Sequence, residues 1–258
     1  MLAIETRGLT RLFDGTPAVQ DLALRVPSGA FYGFLGPNGA GKSTTMRLLT
    51  GLLAKTSGEA RVLGFDLDRD ALAAKACIGV VPDGLNLFER LTGAEQLRIH
   101  GQLYGLTRGE AARRAAELLD ALELATDAGK LVQDYSHGMK KKLALGCALI
   151  HGPRLLFLDE PFEGIDAVAV SGIRRMLQDL VQRGAMTVFL TSHVLEVVER
   201  LVTHVGIIHR GRLVVQGALE EVRASGTLEE TFIRAVGEAR APLPPLSWLG
   251  PGGPAGDA

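Results

Sequence analysis

The chain has 258 residues, 47% of them hydrophobic, and a mean hydropathy of +0.18, enough apolar material for one large α/β domain or two lobes sharing a core. Lys and Arg number 28 against 29 Asp and Glu, so the chain lacks the electrostatic footprint of a dedicated nucleic-acid binder. Two cysteines, Cys77 and Cys147, show no metal-ligand spacing and argue against a disulfide scaffold.

The N-terminus has no basic flank followed by a long apolar stretch, and no run approaches ~18 uninterrupted apolar residues. A soluble cytoplasmic protein is expected. Leu22, Leu24 and Val26 alternate with polar or small residues and predict one half-buried strand before the turn Pro27-Ser28-Gly29. Residues 31–35 read as a strand buried on both faces. They run into Gly36-Pro37-Asn38-Gly39-Ala40-Gly41-Lys42-Ser43-Thr44, and residues 45–53 then predict a helix ending near Gly51. Short strands are expected at 59–63 and 78–81. From about 91 to 128 the spacing turns helical, with Ala111, Ala115, Leu118, Leu119 and Leu122 on one face.

Residues 154–159 return to strand. A helix at 168–181, a strand at 186–191 and a helix at 193–201 follow. Residues 205–209 and 212–216 flank Arg210-Gly211 as a hairpin, and 229–236 read as a last helix. From Ala241 the chain is rich in Pro and Gly, with Trp248, and a poorly ordered tail is expected over 241–258. Strands interleaved with helices predict an α/β fold with a mainly parallel core sheet and an N-terminal antiparallel part. One domain is expected over 1–240, with an inserted helical subdomain at about 83–150.

The stretch Gly36-x-x-x-x-Gly41-Lys42-Ser43 has the phosphate-binding loop pattern, set between a strand and a helix as that chemistry requires. Glycines let the backbone wrap a polyphosphate, and successive N–H groups form an anion nest. The start of the following helix adds its positive dipole end. Lys42 is placed to reach the β- and γ-phosphates, Ser43 to ligate Mg²⁺, and Thr44 to add a phosphate contact. Asp159 and Glu160, at the end of an apolar strand, supply a second metal ligand and a base for the attacking water.

The stretch Tyr135-Ser136-His137-Gly138-Met139-Lys140-Lys141-Lys142-Leu143 resembles the signature of ABC transporter nucleotide-binding subunits, usually written L-S-G-G-Q. Ser136 is a natural N-cap, and the N–H groups after it offer a second anion site. The resemblance covers about residues 2–234. It implies an ABC ATPase fold of the P-loop NTPase class. It also implies that Ser136, His137, Gly138 and Met139 close over the γ-phosphate bound to a partner subunit, so that ATP joins two subunits and hydrolysis releases them.

By the same resemblance Phe13 matches the aromatic that stacks on adenine, and Ala18-Val19 lies near the ribose. Glu163-Gly164-Ile165-Asp166 resembles the D-loop, which carries Asp166 to the dimer interface. His193, after Thr191-Ser192, matches the switch histidine that hydrogen-bonds the γ-phosphate. Two positions depart from the family. Asp83 stands where the Q-loop glutamine follows Pro82, so metal ligation by Asp83 and coupling through this loop are open. His137 replaces the first signature glycine, and Met139 replaces the glutamine.

The resemblance therefore implies hydrolysis of ATP with Mg²⁺ by one of two ABC ATPase subunits, a homodimer being expected. Glu160, His193 and Lys42 are the expected catalytic residues. The subunit is expected on the cytoplasmic face of a membrane, driving export through a separately encoded permease. Residues 228–233 resemble the drug, antibiotic, lipid or polysaccharide exporter branch. A soluble ABC ATPase without a transport role and a nucleotide sensor with little turnover stand as the alternatives.

Overall fold

The computed structural model describes residues 1–162, 167–184, 186–224 and 226–237. Asp166 with residues 163–165, and the tail that carries Trp248, lie outside the described residues. In chain order the first elements are Leu2–Phe13 (β1), Thr16–Leu22 (β2), Arg25–Pro27 (β3), Phe31–Leu35 (β4), Lys42–Leu49 (α1), Ser57–Val62 (β5), Phe65–Asp66 (β6), Ala71–Ala76 (α2) and Ile78–Val81 (β7). After them come Gly93–Leu103 (α3), Arg108–Ala121 (α4), His137–Leu149 (α5), Leu155–Asp159 (β8), Ala167–Gln182 (α6) and Thr187–Ser192 (β9). Leu195–Glu199 (α7), His204–His209 (β10), Arg212–Ala218 (β11), Leu219–Arg223 (α8) and Leu228–Val236 (α9) complete the order.

The N-terminal part is antiparallel. β1 pairs with β2, β3 and β5, and β5 with the two-residue β6. The single strand expected through Leu22, Leu24 and Val26 is broken in two, and Thr6 is the reason. Thr6 is 2% exposed, and its Oγ1 donates to the Leu22 carbonyl at 2.7 Å and accepts the Leu24 N–H at 2.8 Å. One hydroxyl thus takes up the backbone groups freed where the chain passes from β2 to β3.

The second sheet runs β11-β10-β4-β9-β8-β7 and is parallel except for the β10–β11 hairpin. β4, β8 and β9 are buried along their whole length, as strands covered on both faces must be. Their side chains alternate between two cores. Tyr32, Phe34, Phe157 and Phe189 pack toward α1 and the antiparallel sheet, while Phe31, Leu35, Leu156, Leu158, Val188 and Leu190 pack toward α5 and α6. The parallel register sets Leu35 beside Ser192 and Asp159 beside Thr191. The C-terminal ends of three strands therefore open at one edge, where ligands bind in sheets of this kind.

Between β7 and β8 the chain folds as α3, α4 and α5. α3 starts at a capping box, with Thr92 Oγ1 accepting from Glu95 N at 3.2 Å and Glu95 Oε2 accepting from Thr92 N at 2.9 Å. Ala111, Ala115, Leu119 and Leu122 are buried, as their helical spacing predicts. Among the described residues no helix is long and apolar enough to cross a membrane. Cys77 and Cys147 are unpaired, and burial pushes the Cys147 thiol up to about 12.

Replacing Thr6 by Val keeps the shape and strands the Leu22 carbonyl and Leu24 N–H. The expected loss is about 1–3 kcal/mol in urea unfolding, with Thr6→Ser recovering most of it.

Candidate active site

The loop that follows β4 lies on the second strand of the other sheet. Gly41 has φ 109°, and a Cβ there would stand 2.6 Å from the Ala18 carbonyl, so only glycine lets the loop settle onto β2. Gly41 is also the residue from which α1 begins, and no side chain caps this helix. In contrast, α3, α4, α5 and α9 are each capped by a Thr or Ser hydroxyl. The first-turn residues of α1 instead line a cleft of about 400 Å³, where their N–H groups suit an anion.

Lys42 is 7% exposed, and its Nζ donates to the Gly36 carbonyl at 2.8 Å and the Pro37 carbonyl at 3.5 Å. The same ammonium lies 3.4 Å from Glu160 Oε1. Pro37, Asn38, Gly39, Gly41, Ser43 and Thr44 line the cleft with it, whereas Ala40 is 4% exposed and packs beneath the loop.

β8 and β9 supply the acids and the group that holds them. Thr191 Oγ1 donates to Asp159 Oδ1 at 2.5 Å and accepts the Glu160 N–H at 3.2 Å. Ser43 Oγ donates to the same Asp159 oxygen at 3.3 Å. Glu160 leaves the strand at φ 46°, a left-handed conformation that costs an L-residue about 1–2 kcal/mol. Four contacts hold it there. Its N–H meets Thr191, its carbonyl accepts from Lys141 Nζ at 3.2 Å, and its carboxylate sits between Lys42 and His193. The Glu160 Oε2 to His193 Nδ1 distance is 3.1 Å.

His193 does not open a helix, contrary to the sequence expectation. Ser192 Oγ accepts the Val194 N–H at 3.0 Å, which closes a local turn, and α7 begins only at Leu195. His193 stands on that turn and, with Asp83, Glu160 and Ala18, lines the same cleft as the residues of the phosphate loop. Val19 is not at the cleft. It is fully buried, because side chains alternate along β2 and Ala18 takes the cleft-facing phase.

Phe13 ends β1, 43% exposed, with the Arg11 guanidinium carbon 4.5 Å from its ring centroid. It is not among the residues that line the cleft. Ser136, His137, Gly138 and Met139 lie elsewhere on the chain, at the start of α5. Ser136 caps that helix by accepting the Met139 N–H at 3.2 Å. Asp166 falls outside the described residues. Nothing in the sequence pattern gives Thr191 or Lys141 a role. The pairing of Asp159 with Thr191 across parallel strands is what reveals Thr191, and it takes strand order to see it.

Phosphate binding at a strand-to-helix loop, with carboxylates supplied by a parallel strand of the same sheet, is how P-loop nucleotide hydrolases are built, and this chain is built that way. A family profile described as ABC transporter matches residues 19–163. The chain is 40% identical over 223 residues to the daunorubicin/doxorubicin resistance ATP-binding protein DrrA of Streptomyces peucetius, covering 86% of this chain and 67% of that protein. It is 37% identical over 219 residues to the bacitracin transport ATP-binding protein BcrA of Bacillus licheniformis, covering 85% and 69%. The solved structure of an ATP-binding subunit of an ABC transporter superposes with a TM-score of 0.84 at 28% identity, over 91% of this chain and 99% of that one. The chain belongs to the ABC transporter family, as an ATP-binding and ATP-hydrolysing subunit.

Gly41→Ala forces a Cβ onto the Ala18 carbonyl and is expected to weaken binding of a fluorescent ATP analogue by about 100-fold or more, while the fold, checked by thermal melting, survives. Retained binding would show that the loop does not need this close approach.

Proposed function

We propose that this subunit clamps MgATP between two protomers and uses its hydrolysis to drive export through a separate membrane permease. The observation that carries this reading is the Glu160 carboxylate, held in the phosphate-loop cleft by Lys42 on one oxygen and His193 on the other.

In this reading the loop N–H groups and Lys42 bind the β- and γ-phosphates, and Thr44 adds a contact. Phe13 stacks on adenine, with Arg11 behind the ring. Ser43 Oγ and Asp159 Oδ1 are hard oxygen donors beside the phosphate site, and they fit Mg²⁺, which favours one or two protein oxygens with water and phosphate completing its shell. Bound there, Mg²⁺ neutralises charge on the phosphate oxygens. Asp83 lines the same cleft and offers a further oxygen acceptor for a water of that shell.

The Lys42–Glu160 contact has a mechanistic consequence. A triphosphate competes for the Lys42 ammonium and draws it off the Glu160 carboxylate. Glu160 is then left with His193 on one oxygen and a free oxygen to accept a proton from the attacking water. His193 hydrogen-bonds the γ-phosphate. Ser136 and Gly138 of a second copy, with His137 and Met139 beside them, close over that phosphate, and Asp166 of the D-loop meets the partner at the interface.

The names of relatives support an exporter of drug or antibiotic type. DrrA is a resistance protein for daunorubicin and doxorubicin, and BcrA is a bacitracin transport protein. The subunit then works at the cytoplasmic face, attached through its permease, with the arm of α3 to α5 and the Asp83 loop forming the groove that receives it.

Two measurements test this. Glu160→Gln should bind MgATP, lose at least about 100-fold in phosphate release, and accumulate an ATP-bound dimer on size-exclusion chromatography, whereas Lys42→Ala should fail to bind. A Glu160→Gln chain that stays monomeric at saturating MgATP, even with its permease, contradicts the clamp. Separately, the wild-type chain should sediment with membranes only when a cognate permease is co-expressed.

A further inference from the structure

Three consecutive lysines follow the signature, and helical spacing points neighbours along a helix in different directions. The fold sends them three ways. Lys140 Nζ reaches Glu89 at 3.1 Å and Lys142 Nζ reaches Glu123 at 2.7 Å, on carboxylates that are largely exposed, so both pairs contribute little. Lys141 turns inward. It is 7% exposed, and its Nζ donates to the Glu160 carbonyl at 3.2 Å.

A lysine in that place needs a reason. Lys141 borders a small, mostly apolar crevice with Val81, Leu145, Leu158 and Ile173, which Asp159 also lines. Leu or Met would fill such a space without bringing a charge out of water. The ammonium makes a charge-assisted hydrogen bond to the backbone carbonyl of the glutamate with φ 46°, which an apolar side chain cannot make.

We infer that Lys141 is a positioning residue for Glu160. The inference rests on Glu160 being the base in the functional reading above. Thr191 holds the N–H on one side of the Glu160 Cα, and Lys141 holds the carbonyl on the other. Together they keep both backbone torsions of a residue that would otherwise relax to the right-handed region. The carboxylate has side-chain tethers as well, but one of them is Lys42, which the triphosphate recruits. When that tether goes, the backbone pair carries the aim of the base. A base displaced by about 1 Å loses up to about 100-fold in rate.

The test uses the full chain and compares wild type, Lys141→Met, Lys141→Arg and Glu160→Gln. Met keeps the apolar fill of the crevice and removes the donor to the Glu160 carbonyl. Lys141→Met is expected to lower kcat about 10- to 100-fold while KM for ATP and binding of a fluorescent ATP analogue stay within about twofold. It should also accumulate the MgATP-bound dimer, as Glu160→Gln does, which loss of packing alone would not produce. Lys141→Arg, a charged donor, should recover kcat to within about fivefold of wild type. The inference is overturned if Lys141→Met keeps kcat within about twofold, or if it loses nucleotide binding and dimer formation along with kcat. Should Met not fold, Lys141→Gln gives the same comparison, since its donor is too short to span to the carbonyl. Failure of the functional reading shows separately, as a wild-type chain that neither hydrolyses ATP nor dimerises, and that outcome overturns both.

Discussion

A single hydroxyl holds the two acids of this protein in register. Thr191 Oγ1 gives its proton to Asp159 and takes the N–H of Glu160, and it can do both only because β8 and β9 run parallel with Asp159 opposite Thr191. Parallel pairing brings the strand ends to one edge. The aromatic packing of Phe189 against Tyr32, Phe34 and Phe157, with ring centroids 5.4–5.6 Å apart, fixes that pairing across β4, β9 and β8. Chemistry at the edge is therefore underwritten by packing in the middle of the sheet. A change that slips β9 by one residue would turn Thr191 away and unfasten both acids together.

Helix α5 joins that edge to the inserted arm. Its start is capped by Ser136, its lysines reach Glu89, Glu160 and Glu123, and its apolar side is buried against the sheet. The cap and the Glu160 contact lie five residues apart, about 7.5 Å along one rigid element. The signature end and the acid end of the helix thus move as one body, whatever displaces it.

What could be read from the sequence was local. The phosphate-loop pattern, the apolar runs of β4, β7 and β8, and the cap of α5 depend on residues within a few positions of each other, and each is where its pattern predicts. The ABC ATPase fold is implied by the resemblance of residues 135–143 to the ABC signature, not by those patterns alone. What could not be read was set by distant partners. Thr6 breaks the strand expected at 22–26 from sixteen positions away. The phase of β2, which buries Val19 and shows Ala18, depends on which face meets the core. Ser192 takes a backbone N–H and keeps His193 out of α7.

The hairpin between β10 and β11 has a role that its distance along the chain conceals. Gly211, at its tip, donates its N–H to the Ala40 carbonyl at 2.9 Å and accepts from Gln20 N at 2.8 Å, while any Cβ there would stand 2.9 Å from the Ala18 carbonyl. The tip is wedged under the phosphate loop and beside β2, forming a floor for both. Residues 19–163 carry the family match, yet the support beneath their nucleotide cradle arrives almost fifty positions later. A shortened chain ending before Gly211 would keep the wording of every motif up to the switch histidine and lose the ground the first of them stands on.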